Sequence, residues 1–293
     1  MNTAAERYRD RFRKVLEFID AHLHEDLDVT QLSSVAAFSK FHFHRQFSMF
    51  LGISVDRYVR LTRLKRASYQ LAFRDWQPVI DVALDAGYEG PEAFARAFRK
   101  NFGQSPSEFR KQPQWEPWHV TCEPLNALRT EHMQPTYDAS QVRIVDFPQT
   151  RVATLEHRGD PALLGDSIRK FMDWRRQNHL PPQVSATFNI AYDDPATTEP
   201  AAYRFDLCAA TDRPVEPNAH GVVVKHIPAG RCAVLRHRGS DDTLIQTVRW
   251  LYSQWLPQSD AELRDFPLYF QRVRFFPEVA EHEAEVDVFL PIR

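Results

Sequence analysis

Cysteine is scarce in this chain of 293 residues, and the three that occur, Cys122, Cys208 and Cys232, lie far apart. An odd number at such separations does not build the disulfide framework of a small secreted protein, so we expect reduced, buried thiols. No stretch approaches the roughly 18 consecutive apolar residues of a membrane span. The first residues are polar and carry no apolar signal segment. These absences predict a cytoplasmic protein without membrane contact.

The sequence also lacks the short motifs of common catalytic and metal sites. It has no glycine-rich phosphate loop, no His-Glu-x-x-His pair and no nucleophile elbow. His22 and His24, like His42 and His44, are two positions apart and would point in different directions on a helix, so we expect no shared metal. The sequence therefore predicts a protein that is not an enzyme and that uses no cofactor or metal.

Net charge is small, at −2, but it is unevenly distributed. Residues 1–112 carry 18 Lys and Arg against 14 Asp and Glu, a net charge of +4. The rest of the chain, with 19 against 25, carries −6. Such asymmetry between halves suggests that the first half binds a polyanion.

The first half shows helical periodicity and the terminal signals of short helices. Glu6 to Leu23 places its apolar residues along one helix face. Gly52 and Gly103 each follow an apolar helical run, as C-terminal glycines do. The segment Ser105-Pro106-Ser107-Glu108 matches a capping box. These signals predict seven short helices within residues 1–112.

The segment at residues 113–140 has a different composition. It contains Pro113, Pro117, Pro124 and Pro135. At this density we expect proline to prevent a continuous helix, which predicts a Pro-rich linker with one strand around Trp118 to Cys122. Residues 141–293 then mix strand and helix periodicity. The predicted fold class is α+β with two domains, an all-α domain at 1–112 and an α+β domain at 141–293.

The first half contains an internal repeat with an offset of 51 residues. Phe43, Arg45, Phe47 and Gly52 recur as Phe94, Arg96, Phe98 and Gly103. The two phenylalanines of each copy are four residues apart and share a helix face, while the arginine points away from it. This is the layout of a helix-turn-helix head, whose second helix enters the major groove of DNA.

The second half contains another repeat, with an offset of 80 residues. Residues 142–159 align with 222–239 without a gap, and eight of the 18 positions are identical, including His157/His237 and Gly159/Gly239. A helical pattern follows each copy. The repeat predicts a duplicated strand–strand–helix unit. Ligand sites often lie at the junction between two such copies.

These patterns resemble two known families. The string from Ala86-Gly87-Tyr88 through Phe94-x-Arg96-x-Phe98 to Gly103-x-Ser105-Pro106 resembles the double helix-turn-helix domain of AraC/XylS transcription regulators. The His-Arg-Gly turns, Trp255-Leu256-Pro257 and the ending Asp287-Val288-Phe289-Leu290-Pro291 resemble the gyrase-inhibitor-like (GyrI-like) effector-binding domain. The resemblance implies a transcriptional regulator that binds double-stranded DNA through its first domain and a small-molecule effector through its second.

The resemblance implies two recognition helices that enter successive major grooves. Arg45 and Arg96 would each bind guanine bidentately, and Phe41 would contact a thymine methyl group unless it packs in the core. The expected base contacts are Lys40, Phe41, His44, Arg45, Glu92, Ala95 and Arg96. The expected phosphate contacts are Arg63, Lys65, Arg66, Arg99 and Lys100, for which a solvated helix face is the alternative.

Aromatic residues of the second half are the candidates for ligand binding. They suit an apolar or cation-binding pocket, and packing in the core is the alternative for each. The residues in question are Trp174, Tyr192, Tyr203, Trp250, Trp255, Tyr269 and Phe270. The resemblance implies a small cationic or hydrophobic ligand. Phe270 takes a position where many relatives carry glutamate, which removes that acidic anchor for a cation.

Three functional hypotheses follow. The first is a DNA-binding transcriptional regulator controlled by a small molecule. The second is a DNA-binding protein whose second domain only contacts proteins, with RNA polymerase or a second copy as partner. The third is a small-molecule hydrolase fused to DNA-binding heads, which needs two converging carboxylates that the sequence does not place.

Overall fold

The computed structural model describes residues 3–275 and 278–293; the polar start at Met1 and Asn2 lies outside them. The chain divides into two compact units. The helical unit comprises residues 1–134 and 280–282, and the sheet unit comprises residues 135–279 and 283–293. In the described residues no helix combines the length and apolar character that crossing a membrane requires.

The helical unit begins with the helices that its local signals predict. Gly52 and Gly103 adopt φ of +69° and +75° and end the helices Lys40–Leu51 and Pro91–Phe102, at positions where a side chain would be strained. The capping box at Ser105 and Glu108 is present. Within the described residues the first seven helices are α1 (Ala4–Ala21), α2 (Val29–Val35), α3 (Lys40–Leu51), α4 (Val55–Phe73), α5 (Val79–Asp85), α6 (Pro91–Phe102) and α7 (Pro106–Lys111).

The prediction that prolines prevent a continuous helix after residue 113 is wrong. Trp115–His132 forms α8, with Pro124 inside it. An interior proline costs about 3 kcal/mol, but burial of one large apolar side chain recovers about 1.5–3 kcal/mol. α8 buries Trp115, Trp118 and Leu125 against the helical unit, so packing outweighs the proline. The predicted strand around Trp118 is absent from this described segment for the same reason.

Two apolar clusters form the core of the helical unit, one for each helix-turn-helix head. The first contains Phe43 and Phe47 of α3, and the second contains Phe94 and Phe98 of α6. α4 supplies residues to both, since Tyr58 lies in the first cluster and Leu71 in the second. A helix of 19 residues is about 28 Å long. α4 is therefore the element that sets the separation of the heads.

The sheet unit is the predicted α+β domain. Its described strands form one antiparallel sheet of eight, in the order β1-β6-β8-β7-β3-β4-β2-β5. The strands are β1 (Arg143–Phe147), β2 (Thr150–Arg158), β3 (Thr187–Ala191), β4 (Arg204–Ala210), β5 (Val223–Ile227), β6 (Gly230–Arg238), β7 (Tyr269–Arg274) and β8 (Glu285–Pro291). The helices are α9 (Leu164–Gln177) and α10 (Leu244–Trp250), and α10 continues as a π-helical turn over Leu251–Trp255.

The predicted duplication is confirmed in three dimensions. β1 and β2 recur 80 residues later as β5 and β6, and a helix follows each pair. His157 Nδ1 lies 2.9 Å from Ser167 Oγ, and His237 Nδ1 lies 2.8 Å from Thr247 Oγ1. Each histidine therefore joins the end of its strand to the following helix. Burial lowers the pKa of His237, which keeps this ring neutral.

Candidate functional site

The first recognition helix, α3, has an apolar face and a face open to solvent. Phe43 and Phe47 are fully buried, whereas Lys40, His44 and Arg45 are exposed. The Phe41 side chain is 94% exposed, so it does not pack in the core. An exposed phenylalanine beside three polar side chains can contact a thymine methyl group while they bind base edges.

The second recognition helix, α6, repeats this arrangement. Phe94 and Phe98 are buried, and Arg96 is exposed at the position that matches Arg45. Glu92 is exposed in the first turn and Ala95 is partly exposed. The surface of α6 thus offers one cation, one carboxylate and a methyl group. This is a smaller set of base-reading groups than the surface of α3 offers.

The predicted phosphate contacts have three different environments: three side chains reach solvent, one lysine is buried, and one arginine is bound within the helical unit. Lys100 and Arg99 are exposed, and Arg99 lies 3.4 Å from the Glu108 carboxylate. Arg66 is partly exposed. These three side chains stay predicted phosphate contacts.

The prediction for Lys65 is wrong. Its side chain is 2% exposed, and its Nζ donates to Asn126 Oδ1 of α8 at 2.9 Å. α8 covers this face of α4, so Lys65 cannot contact DNA while the unit is folded. The segment that carries Asn126 was predicted to be a linker, which is why the sequence left this face of α4 uncovered.

Arg63 has a structural role inside the helical unit. Its Nε donates to the carbonyl of Leu23 at 2.9 Å and its Nη2 to the carbonyl of Glu25 at 2.6 Å. Burial lowers the pKa of Arg63, and the nearby charge of Asp26 opposes that change. The guanidinium therefore ties α4 to the segment between α1 and α2, and it has one remaining nitrogen for other contacts.

The sheet unit contains a pocket of about 350 Å³ beside the end of α10. Trp250 and Trp255 line it, together with Tyr137 and Asp138, which precede β1. The Tyr137 hydroxyl lies 2.6 Å from Thr247 Oγ1, and its ring centroid lies 5.5 Å from that of Trp250. Hydrogen bonds from Ser140 hold the pKa of Asp138 below its usual value. The pocket therefore joins aromatic faces to an ionised carboxylate.

The predicted ligand-binding aromatics do not form one cluster. Trp250 and Trp255 line the pocket. Trp174, Tyr203 and Phe270 are buried in the core on the helix side of the sheet. Tyr269 is buried on the opposite side, and burial raises its pKa far above the usual value. These four residues are buried, as the core alternative expects, and their role in ligand binding stays a prediction.

Tyr192, the remaining predicted aromatic, lies in a charged cluster on the other side of the sheet from α9 and α10. Its hydroxyl donates to the fully buried Asp206 at 3.0 Å. Arg158, Arg204 and Lys225 place their charges 5.4–5.8 Å from its ring centroid. Burial raises the pKa of Tyr192, and the Asp206 carboxylate adds to that rise. Its partners are all side chains of this sheet, so the ring is engaged within the fold.

Five pocket residues were missed by sequence reasoning. Tyr137, Asp138 and Ala139 fell in the predicted linker, where no periodicity indicates which way a side chain points. Gln254 and Gln258 lie on and just after the π-helical turn, whose geometry a repeat of 3.6 residues does not anticipate. The one available signal was the second repeat, since it predicts a helix after residue 239.

Comparisons with known proteins match both units. Residues 140–293 match the family described as a GyrI-like small molecule binding domain, and residues 32–112 match a helix-turn-helix domain. The probable transcriptional regulator YgiV of Escherichia coli (strain K12) is 41% identical over 152 residues, which are 52% of this chain and 95% of YgiV. The uncharacterized HTH-type transcriptional regulator YbfP of Bacillus subtilis (strain 168) is 40% identical over 103 residues, 35% of each chain. The right origin-binding protein of Escherichia coli (strain K12) is 30% identical over 108 residues, 37% of each chain.

Proposed function

The chain belongs to the family of the GyrI-like small molecule binding domain, and it joins that domain to an AraC-type helix-turn-helix domain. From these two domains we infer the function of each unit. It is a transcriptional regulator with a DNA-binding unit and a ligand-binding unit. We propose that α3 and α6 read one DNA site and that the pocket beside α10 receives the effector.

One observation carries the DNA proposal. Arg45 and Arg96 are both exposed, and each lies on a helix whose opposite face buries two phenylalanines. The buried phenylalanines hold each helix in place and so fix the direction in which its arginine points. A guanidinium fits the O6 and N7 acceptors of guanine. Because both heads belong to one chain, a monomer can occupy two successive major grooves, about 34 Å apart. Arg66, Arg99 and Lys100 would contact phosphates and set the dependence on salt.

The chemistry of the pocket supports a cationic or hydrophobic effector. The faces of Trp250 and Trp255 attract a cation within about 6 Å of a ring centroid, and the ionised Asp138 adds negative charge. The volume suits a molecule with one aromatic ring.

A pair of isosteric compounds tests this proposal. We expect phenyltrimethylammonium to raise the unfolding midpoint of the sheet unit more than neutral tert-butylbenzene of the same shape, because a ligand stabilises the state that it binds. Trp255→Leu should weaken binding about tenfold through the lost cation–π contact. Tyr252→Leu is the matched control, since Tyr252 lies on the same turn and is not among the residues that line the pocket.

Failure of this test has a defined meaning. If neither compound shifts the midpoint, or if both variants bind equally well, the pocket is not the effector site. The sheet unit would then act through protein contacts, for which RNA polymerase is the partner we propose. The sheet unit has exposed apolar side chains at Val184 and Leu163, 67% and 48% exposed, that such a partner could cover.

A further inference from the structure

A second cleft lies inside the helical unit, between the two heads. Its volume is about 300 Å³. Leu27 and Val29 line it from the first head, Val59 and Arg60 from α4, and Gly87 and Tyr88 from the turn between α5 and α6. None of its lining residues belongs to α3 or α6 in the described part of the chain. DNA reading by the recognition helices therefore leaves the cleft without an assigned role.

Arg63 presents a fixed hydrogen-bond donor in this cleft. Its Nε and Nη2 are held by the carbonyls of Leu23 and Glu25. Its Nη1 lies over Gly87, where an added Cβ would come within 2.5 Å of it. Gly87 also has φ of +78°, so its backbone conformation and its lack of a side chain both make room for the guanidinium.

Tyr88 supplies a second donor. Its hydroxyl oxygen is buried and has no hydrogen-bond partner among the residues that the structure describes. Burial raises the pKa of Tyr88, and the charges of Arg60 and Arg63 act in the opposite direction. Both cations therefore lie close enough to influence the hydroxyl. A buried hydroxyl without a partner is costly, and an acceptor in the cleft would relieve that cost once the Tyr88 side chain turns its buried hydroxyl toward the cleft.

The remaining walls of the cleft select the ligand class. Leu27, Val29 and Val59 give it an apolar surface. Asp26 and Asp56 also line it; like Arg60 they are exposed, so water screens these three charges alike, and the partly buried guanidinium of Arg63 is the cation that acts most strongly on an anion. The guanidinium and hydroxyl donors gain the most hydrogen bonding from a ligand. A carboxylate suits them because it can accept from both kinds of group at once.

We propose that the cleft between the heads binds a small organic carboxylate, with its charge on Arg60, Arg63 and Tyr88 and its apolar body on Leu27, Val29 and Val59. Such a ligand touches both heads, and it favours the head arrangement in which both contacts form. The proposal does not depend on the effector pocket of the sheet unit.

Titration calorimetry of the full chain with benzoate tests the proposal, with benzamide as the neutral isostere. We expect benzoate to bind with a Kd of about 1 mM or tighter and benzamide to bind at least tenfold more weakly. Arg60→Gln should reduce benzoate affinity about tenfold and Tyr88→Phe about threefold, since charged hydrogen bonds are the stronger ones. Arg57→Gln, on an exposed side chain of α4 that is not among the lining residues, should leave affinity unchanged.

Trp255→Leu locates the binding event. We expect this variant to bind benzoate as the unaltered chain does, because the cleft lies in the helical unit. Three results would overturn the proposal: no binding of benzoate, equal affinity for benzamide, or a loss with Trp255→Leu in place of Arg60→Gln.

Discussion

Replacing Arg129 with methionine is expected to lower the free energy of unfolding of the helical unit by about 3–5 kcal/mol. Arg129 of α8 is 1% exposed. Its Nη1 and Nη2 donate to the two carboxylate oxygens of Asp20 in α1 at 2.9 and 2.7 Å. The variant would leave the Asp20 carboxylate buried without this bidentate partner, and removing one member of a buried ion pair is expensive.

Hydrogen exchange of the intact chain can measure this effect, because it reports the opening free energy of α1 and α8 separately from the sheet unit. The double variant Asp20→Asn, Arg129→Met should lose less than the single variant, since it removes the Asp20 charge together with its bidentate partner. Arg13→Met is the partly exposed control, because its pairs with Asp10 and Glu17 reach the surface and are worth at most about 1 kcal/mol. Equal losses for Arg129→Met and Arg13→Met would show that α8 does not hold the unit together.

Replacing Arg45 with alanine is expected to remove base discrimination at one position of the DNA site, by about 1–3 kcal/mol. The bidentate pair with guanine O6 and N7 exists only on the matched base, so affinity for the matched sequence should fall most. Lys100→Ala should weaken binding equally on all sequences and reduce the slope of log affinity against log salt by about 0.9. Both residues are exposed, so neither change disturbs the core.

Binding measured on a set of DNA duplexes that differ at single positions tests the Arg45 assignment. The duplex of highest affinity serves as the matched site, and each substitution is compared with and without Arg45. If Arg45→Ala lowers affinity by the same factor on matched and mismatched duplexes, Arg45 contacts the backbone and not a base.

Elements with local signals were predictable from the sequence. Gly52 and Gly103 predicted the ends of α3 and α6, and Ser105 and Glu108 predicted the start of α7. Each observed boundary lies within one helical turn of its predicted position. The duplicated strands were found because both copies kept the His-Arg-Gly turn. Exposure of Arg45 and Arg96 followed from their position opposite the buried phenylalanines.

Features that depend on tertiary packing were not predictable. α8 exists because Trp115 and Trp118 pack on other helices. Local helix propensity includes the cost of Pro124 but not this packing, so it predicts no helix here. The burial of Lys65 follows from the same missed helix. Aromatic composition could not separate Trp250 and Trp255, which line the pocket, from Phe270 and Tyr269, which fill the cores, because a strand pattern does not say which face a ligand can reach.

The central claim is that α3 and α6 of one chain read a single DNA site. Selection of the full chain against a pool of random duplexes tests it most directly. We expect two groups of preferred bases about 10 base pairs apart, as helices in successive major grooves require. Arg45→Ala should erase the preference in one group and Arg96→Ala in the other. A selected pool with no base preference, or with one group that both variants affect alike, would contradict the account.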